Sequence, residues 1–395
     1  MDCVGQRGPP AGMGGVRMKA KKKPYVEAMD LVRAATIVSV VAVHSTWYTA
    51  NGGHWISSGA LLSLMHFTRE AFMALTGFVL TYSLFGKKLQ WKSVWIKRYK
   101  LVLFPYMIWS AAYMLIFGTF AGVGAFFLMY GKNLLDGGAW FQLYYLLITM
   151  QFYLILPGFL MLMRVAKKHP WWVLGAAVVF QLALMTYDQY GIGPHAGGLN
   201  TYMGEEVWTY TLYFVMGGVG AVHWQAIRQW LATHFRTVLT WTAMAAGVML
   251  AEFFLETYLG HNMAMGDAVL QPAMVPWSMM IIVLLSAIGI RYETRRQTQP
   301  HYGQLIKRIA DLSFGIYLVH PMILEWWAWL LSKFYLYSPS YLLDAITVIL
   351  LVSISMLGMG LIGKTPFSPW LIGRSALTTT RSERAGSEVV SPRHL

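Results

Sequence analysis

Apolar residues in this chain come in blocks of about 20, separated by short polar stretches, and about 20 residues of helix cross ~30 Å of hydrocarbon. Ten blocks are predicted to span a membrane: 28–48, 59–85, 99–122, 140–163, 171–188, 206–223, 237–258, 271–290, 308–331 and 341–363. The expected fold class is all-α, a polytopic integral membrane helical bundle. The blocks 171–188 and 206–223 are the shortest, and either is expected to tilt or re-enter. Neither an internal repeat nor a heptad pattern is present, and no polar segment is long enough for a second folded domain. The stretch 189–205 carries Gly191, Gly193, Pro194, Gly197 and Gly198, so it reads as an irregular outer loop.

Composition strengthens this picture. Only 12% of residues are charged, where a soluble protein carries about a quarter, and mean hydropathy is +0.48. The 17 Trp and 22 Tyr suit a chain with two headgroup interfaces. A single cysteine, Cys3, excludes an internal disulfide and a cysteine-based metal cluster.

Charge sets the sidedness. With the N-terminus inside, 27 of the 31 Lys and Arg fall in segments facing the cytosol, and only Lys132 and Lys333 face outward. Both termini are therefore expected in the cytosol, and the net charge of +14 needs no nucleic-acid partner. Residues 1–24 read as a disordered basic tail lying on anionic lipid, 25–365 as the membrane domain, and 366–395 as a polar cytosolic tail. The first apolar run is a full span with no small-residue cleavage site, unlike a signal peptide.

A charge in hydrocarbon costs at least ~2.5–3.5 kcal/mol, so each intramembrane charge is a functional candidate. Arg33 and His44 lie eleven residues apart on one face of the first span, ~16 Å along its axis. Asp30, three residues before Arg33, can pair with it. The plainer alternative makes Arg33 a snorkelling anchor and His44 a packing residue. The second span brings His66, Arg69 and Glu70 in from outside, and the ninth carries Tyr317 and His320 on one face. His44, His66, Arg69 and His320 can thus share one layer. No HxxxH spacing supports a metal, so none is expected. Glu252 and Glu256, one turn apart, read as an exposed outer helix end or as the lining of an outer cavity.

The chain lacks a GxSxG elbow, a GxxxxGK[ST] loop and an HExxH pair. What remains is an imidazole base in a dry site, with a cation on the cytosolic side one pantetheine length away. That arrangement suits acyl transfer from a phosphate-bearing thioester. Arg33-x10-His44 resembles the first-span signature of the integral-membrane acyltransferase-3 family. The segments HFTREAFMALTGFVLTY (66–82), KRYKLVLFPYMIWS (97–110), AWFQLYYLLITMQFYLILP (139–157), YFVMGG (213–218) and SFGIYLVHP (313–321) are similar to that family in the same order. The closest branch resembles enzymes that O-acylate surface polysaccharides or their lipid-linked precursors.

The resemblance implies His44 as catalytic base and Arg33 as a contact of the acyl-CoA donor. It also implies a basic donor motif at Lys97, Arg98 and Lys100, where the family's paired arginines are replaced by lysines three apart, which hold phosphate as point charges. A positive-inside anchor explains much of that stretch equally well. Arg69 or a neighbouring donor is expected to stabilise an oxyanion and Glu70 to orient an imidazole, with Asp30, His66, Tyr317 and His320 as further pocket residues. The implied protein is a multi-pass enzyme of a bacterial plasma membrane with no tightly bound cofactor. It would use acyl-CoA, chiefly acetyl-CoA, as co-substrate and a glycan or lipid-linked glycan as acceptor. The esterase-like domain fused to some family members lies outside these residues, so onward transfer would require a separate extracytoplasmic partner. A transporter or flippase for a glycan or polar solute is the rival reading; it calls for inverted repeats or broken helices, and the sequence shows neither clearly.

Overall fold

A run of small and β-branched apolar residues between Asp30 and the aromatic end at Trp47–Tyr48 forms α1 (Ala28–Thr49), the central helix of the protein. The structure, a computed structural model, describes residues 24–49, 55–191, 203–259, 266–334 and 340–373. Most of the expected basic N-terminal tail, most of the C-terminal tail and most of the glycine-rich 189–205 stretch lie outside these residues. All regular structure among the described residues is helical.

After α1 come α2 (Ile56–Met65), α3 (Thr68–Leu84), α4 (Trp91–Phe117), α5 (Val123–Asp136), α6 (Tyr144–Ala166) and α7 (Pro170–Thr186). The second half holds α8 (Thr211–Val222), α9 (Trp224–Thr233), α10 (Phe235–Tyr258), α11 (Met274–Thr298), α12 (Gln304–Lys333), α13 (Tyr341–Ile362) and the short α14 (Ser368–Leu371). Among the described residues, eight helices are long and apolar enough to cross a membrane. They match every expected span except 59–85 and 206–223. The 171–188 block reaches full length, since its helical course runs to Tyr190.

The second expected span is broken rather than continuous. α2 ends at Met65 and α3 starts at Thr68, with His66 and Phe67 between. Neither Gly nor Pro marks the break, and packing sustains it: the Trp277 indole of α11 donates to the Leu64 carbonyl at 2.9 Å. The sixth span is a short 3-10 turn, Val207–Tyr210, followed by the 12 residues of α8.

The outer loop after the third span is also a helix. Tyr106, in the middle of α4, donates to the carbonyls of Asn133 and Leu134 at 3.1 Å each, and Tyr130 donates to that of Met107 at 3.0 Å. α5 therefore folds back along α4, its C-terminal end lying beside the middle of that helix. Gly137 ends it in the left-handed region (φ 74°), where a Cβ would also stand 2.6 Å from Tyr144 Cα. Irregular backbone at such depth is tolerated where it lines a cavity, and Phe141 and Gln142 do so.

Small residues let helices meet at backbone distance. A Cβ on Gly217 of α8 would stand 2.8 Å from Phe78 N of α3, and one on Gly77 would stand 3.1 Å from Phe214 Cα. α1 packs between α11, α12 and α13. Its outer end is pinned by the buried Asp344, whose two carboxylate oxygens accept from Ser45 and Thr46 at 2.6 Å each, and by a Tyr48–Glu325 hydrogen bond. Beyond α13, Trp109 of α4 donates to the Leu371 carbonyl at 2.9 Å and ties α14 to the bundle. Trp171 and Trp172, both over 80% exposed beside Lys167 and Lys168, fit an interfacial anchor.

Candidate functional site

Two cavities take in the ionisable residues Arg33 and His44 of α1. The one nearer its N-terminus has a volume of about 210 Å³ and is walled by Arg33, Arg98, Tyr153 and Ser313. The other, about 160 Å³, is walled by His44, His66, Arg69, Gln142 and Tyr144. We call them the vestibule and the chamber. The vestibule faces the end that carries the basic segments.

The His44 ring packs against Phe141 (centroids 4.7 Å apart) and stacks on His320 of α12 at 5.4 Å, with 28° between planes. Nδ1 of His320 lies 3.0 Å from the Ile316 carbonyl. That partner assigns the ring proton to Nδ1 and leaves Nε2, which is buried without a partner, as an acceptor. Pro321 follows directly and cannot donate into the helix ladder. Tyr113 mends the disturbed turn: its hydroxyl donates to the Leu318 carbonyl at 2.7 Å and accepts from Met322 N at 3.2 Å. His320 is the seventeenth of the thirty residues of α12, so the imidazole pair sits near the middle of the bundle.

Arg69, in the first turn of α3, donates through Nη1 to Tyr144 Oη at 3.0 Å, while its Nη2 is buried without a partner. An unpaired guanidinium N–H in a dry cavity is suited to a developing negative charge. Nδ1 of His66 at the helix break is likewise unpartnered. Tyr317 donates to the backbone carbonyl of Gln142. Glu70 behaves differently from expectation. It is fully buried but does not line the chamber, and neither carboxylate oxygen has a hydrogen-bond partner, so no imidazole is oriented by it. It is adjacent to Arg69 in the chain, and helical phase turns the two side chains apart.

At the vestibule, Arg33 Nη1 lies 3.8 Å from Asp30 Oδ1. The carboxylate of Asp30 is fully buried, also binds the Tyr25 hydroxyl and lies 3.9 Å from Lys307 Nζ. Asp30 therefore braces Arg33 and does not line either cavity. Of the basic trio, only Arg98 reaches the vestibule; Lys97 and Lys100 are exposed on other faces of α4. Residues 97 and 100 stand about 100° and 200° from 98 around α4, so helical phase brings Arg98 alone of the three to the cavity wall.

Sequence reasoning missed Phe72, Phe141, Gln142, Tyr144 and Tyr145 as cavity residues. All but Phe72 lie in or beside the irregular turn after α5, which no periodicity announces. Phe72 was within reach, being one helical turn from Arg69. Glu252 and Glu256 are joined by the Tyr190 hydroxyl, 2.9 and 2.8 Å from their carboxylates, and Glu252 accepts from Ala273 N at 2.7 Å. They tie the outer ends of α7, α10 and α11 together. Among the described residues, no three His, Cys, Asp or Glu side chains converge as metal ligands do. A larger cavity, about 640 Å³, is apolar; it is walled mainly by α7, α8, α9 and α11, and meets the vestibule at Leu75 of α3. Its histidine and its serine are spoken for: His223 by the Ala166 carbonyl at 3.1 Å and Ser286 by that of Ile282 at 2.8 Å.

Comparison with protein families matches residues 26–363 to the family described as "Acyltransferase domain". The same comparison against curated proteins and against solved structures returns no match. The match spans nearly all of the described helices, the vestibule and the chamber included. The chain is a multi-pass membrane protein that belongs to the acyltransferase-3 family.

Proposed function

We propose that this membrane acyltransferase takes an acetyl or similarly short acyl group from cytosolic acyl-CoA and places it on a hydroxyl of a glycan or lipid-linked glycan. The observation that carries this reading is the alignment of two cavities on one helix. Arginines stand at the end facing the basic segments, and an imidazole pair with an unpaired guanidinium N–H lies ~16 Å further along. That separation is on the order of an extended pantetheine arm.

Arg33 and Arg98 would hold donor phosphates through bidentate bonds. In the chamber the acceptor O–H gives its proton to the imidazole of His44 as its oxygen attacks the thioester carbonyl. Arg69 Nη2 takes the oxyanion. Collapse breaks the C–S bond, the leaving thiolate recovers the proton from His44, and the products are an ester and free coenzyme A. His320 Nε2 stands ready to share that proton. The same geometry accommodates a first transfer to His44 itself and then to the acceptor. No bound cofactor is needed beyond the co-substrate. A bacterial plasma membrane, with a separate transferase outside, is the setting the charge asymmetry and the family favour.

The break between α2 and α3 favours a second reading, solute transport, because discontinuous helices line transport sites. Purified protein given radiolabelled acetyl-CoA and a glycan acceptor separates the two. Thiol release coupled to label on the acceptor is expected, whereas solute flux without thioester cleavage would establish the transporter.

A further inference from the structure

The chamber and the vestibule share three lining residues: Phe72, Tyr145 and Tyr317. Each occupies the crossing point on its own helix. On α3, Thr68 and Arg69 face the chamber, Leu75, Thr76 and Val79 face the vestibule, and Phe72 stands between. On α6, Tyr144 belongs to the chamber and Tyr153 to the vestibule, with Tyr145 common to both. On α12, Ser313 and Phe314 line the vestibule, His320 meets His44 at the chamber, and Tyr317 again lies between. Three independent helices thus give the same order.

The three rings touch one another. Centroids are 5.7 Å apart for Phe72–Tyr145, 6.3 Å for Phe72–Tyr317 and 5.5 Å for Tyr145–Tyr317, a closed triangle. Two of the rings are tethered: Tyr317 to the Gln142 carbonyl, and Tyr145 to the Thr76 hydroxyl at 3.4 Å. Phe72 has no polar group with which to be tethered.

We infer that Phe72, Tyr145 and Tyr317 form an aromatic partition between the vestibule and the chamber, with Phe72 as its movable leaf. This inference rests on the reading of the two cavities as donor and transfer compartments. The partition opens for the thin acyl-pantetheine arm and otherwise keeps water and ions from passing between the compartments. It also limits acyl size. The chamber holds the volume of about five waters, enough for an acetyl group beside an acceptor hydroxyl, and Phe72 closes the space a longer chain would need. Dry reclosure further protects the thioester from hydrolysis.

The test separates the partition from the chemistry. In a Cys3→Ser background, Val43→Cys places one thiol in the chamber. A small membrane-impermeant cationic thiol reagent is applied to vesicles from the vestibule side only. Labelling is expected to be slow with Phe72 present and at least about tenfold faster with Phe72→Ala, because removal of the ring joins the cavities. Phe72→Leu, which keeps most of the packing, guards against misfolding and is expected to give an intermediate rate; both variants are checked for monodispersity. Equal rates in all three proteins would overturn the partition. With acyl-CoA donors, Phe72→Ala is expected to raise the butyryl-to-acetyl ratio of kcat/KM by about tenfold and to raise acceptor-independent thiol release. An unchanged ratio would overturn the size limit. If no variant cleaves any thioester while labelling still depends on Phe72, the partition stands and the acyl-CoA reading falls.

Discussion

Gly217→Ala is a small change with a large predicted effect. Its added Cβ would stand 2.8 Å from both the carbonyl carbon of Ala74 and the amide nitrogen of Phe78, and closer still to the Ala74 oxygen. These are backbone atoms of α3 and cannot rotate away. Ordinary carbon contacts begin near 3.4 Å, so α3 and α8 must part by something on the order of 1 Å. Overpacking of this kind costs about 1–3 kcal/mol. α3 also carries Arg69 and Phe72, and misplacement of a catalytic group by about 1 Å is worth up to 10²-fold in rate. We expect detergent-solubilised Gly217→Ala to melt a few degrees below wild type, followed by tryptophan fluorescence, and to lose at least about tenfold in acyl transfer. Gly175→Ala, on the exposed side of α7 with nothing within 4 Å of the methyl it would add, is the matched control and is expected to keep the wild-type rate and to melt no lower than wild type. A Gly217→Ala protein with wild-type melting and wild-type rate would refute the close-approach argument.

Asp344→Ala removes the acceptor of two buried hydroxyls beside His44; we expect a stability loss of about 2–4 kcal/mol and a fall in kcat with the KM for acetyl-CoA unchanged, partly rescued by Asp344→Asn. Arg69→Lys keeps the charge but not the fork that binds Tyr144 and leaves Nη2 free, so kcat is expected to drop about 10²-fold, measured by thiol release. Asp267, on the outer segment before α11, is 8% exposed, and burial pushes its carboxyl up from 3.8 to about 6. Its folded form therefore holds the proton more tightly than the unfolded chain, and stability falls as pH rises from about 4 through about 6. Asp267→Asn should remove that slope, stabilising the protein above pH ~6 by on the order of 2 kcal/mol and leaving it unchanged near pH ~4 in thermal melts.

The apolar blocks made the helical bundle legible because hydrocarbon demands ~20 apolar residues whatever the tertiary packing. Arg33 and His44 were legible for a related reason, since a charge at depth stands out against its neighbours. What sequence could not show was structure made by partners far along the chain. The break at His66 and Phe67 contains no helix breaker and depends on Trp277, over two hundred residues away, to take the Leu64 carbonyl. The folded-back α5 reads as loop because it holds its course through Tyr106 and Tyr130 hydroxyls bound to main chain, and it buries none of its residues. Arg98 was obscured by the lysines around it, and only the phase of α4 shows which cation faces inward. The segment YFVMGG was recognised without a role; its role is packing, with Gly217 against Ala74 and Gly218 against Met163 and Phe159.

Steady-state kinetics of purified Arg33→Ala and His44→Ala on acetyl-CoA test the division of labour most directly. A donor contact at Arg33 predicts a KM raised by about tenfold with kcat largely kept, and a base at His44 predicts kcat lowered roughly 10²–10⁴-fold with KM kept. Full turnover by His44→Ala, or a loss confined to kcat in Arg33→Ala, would contradict the account.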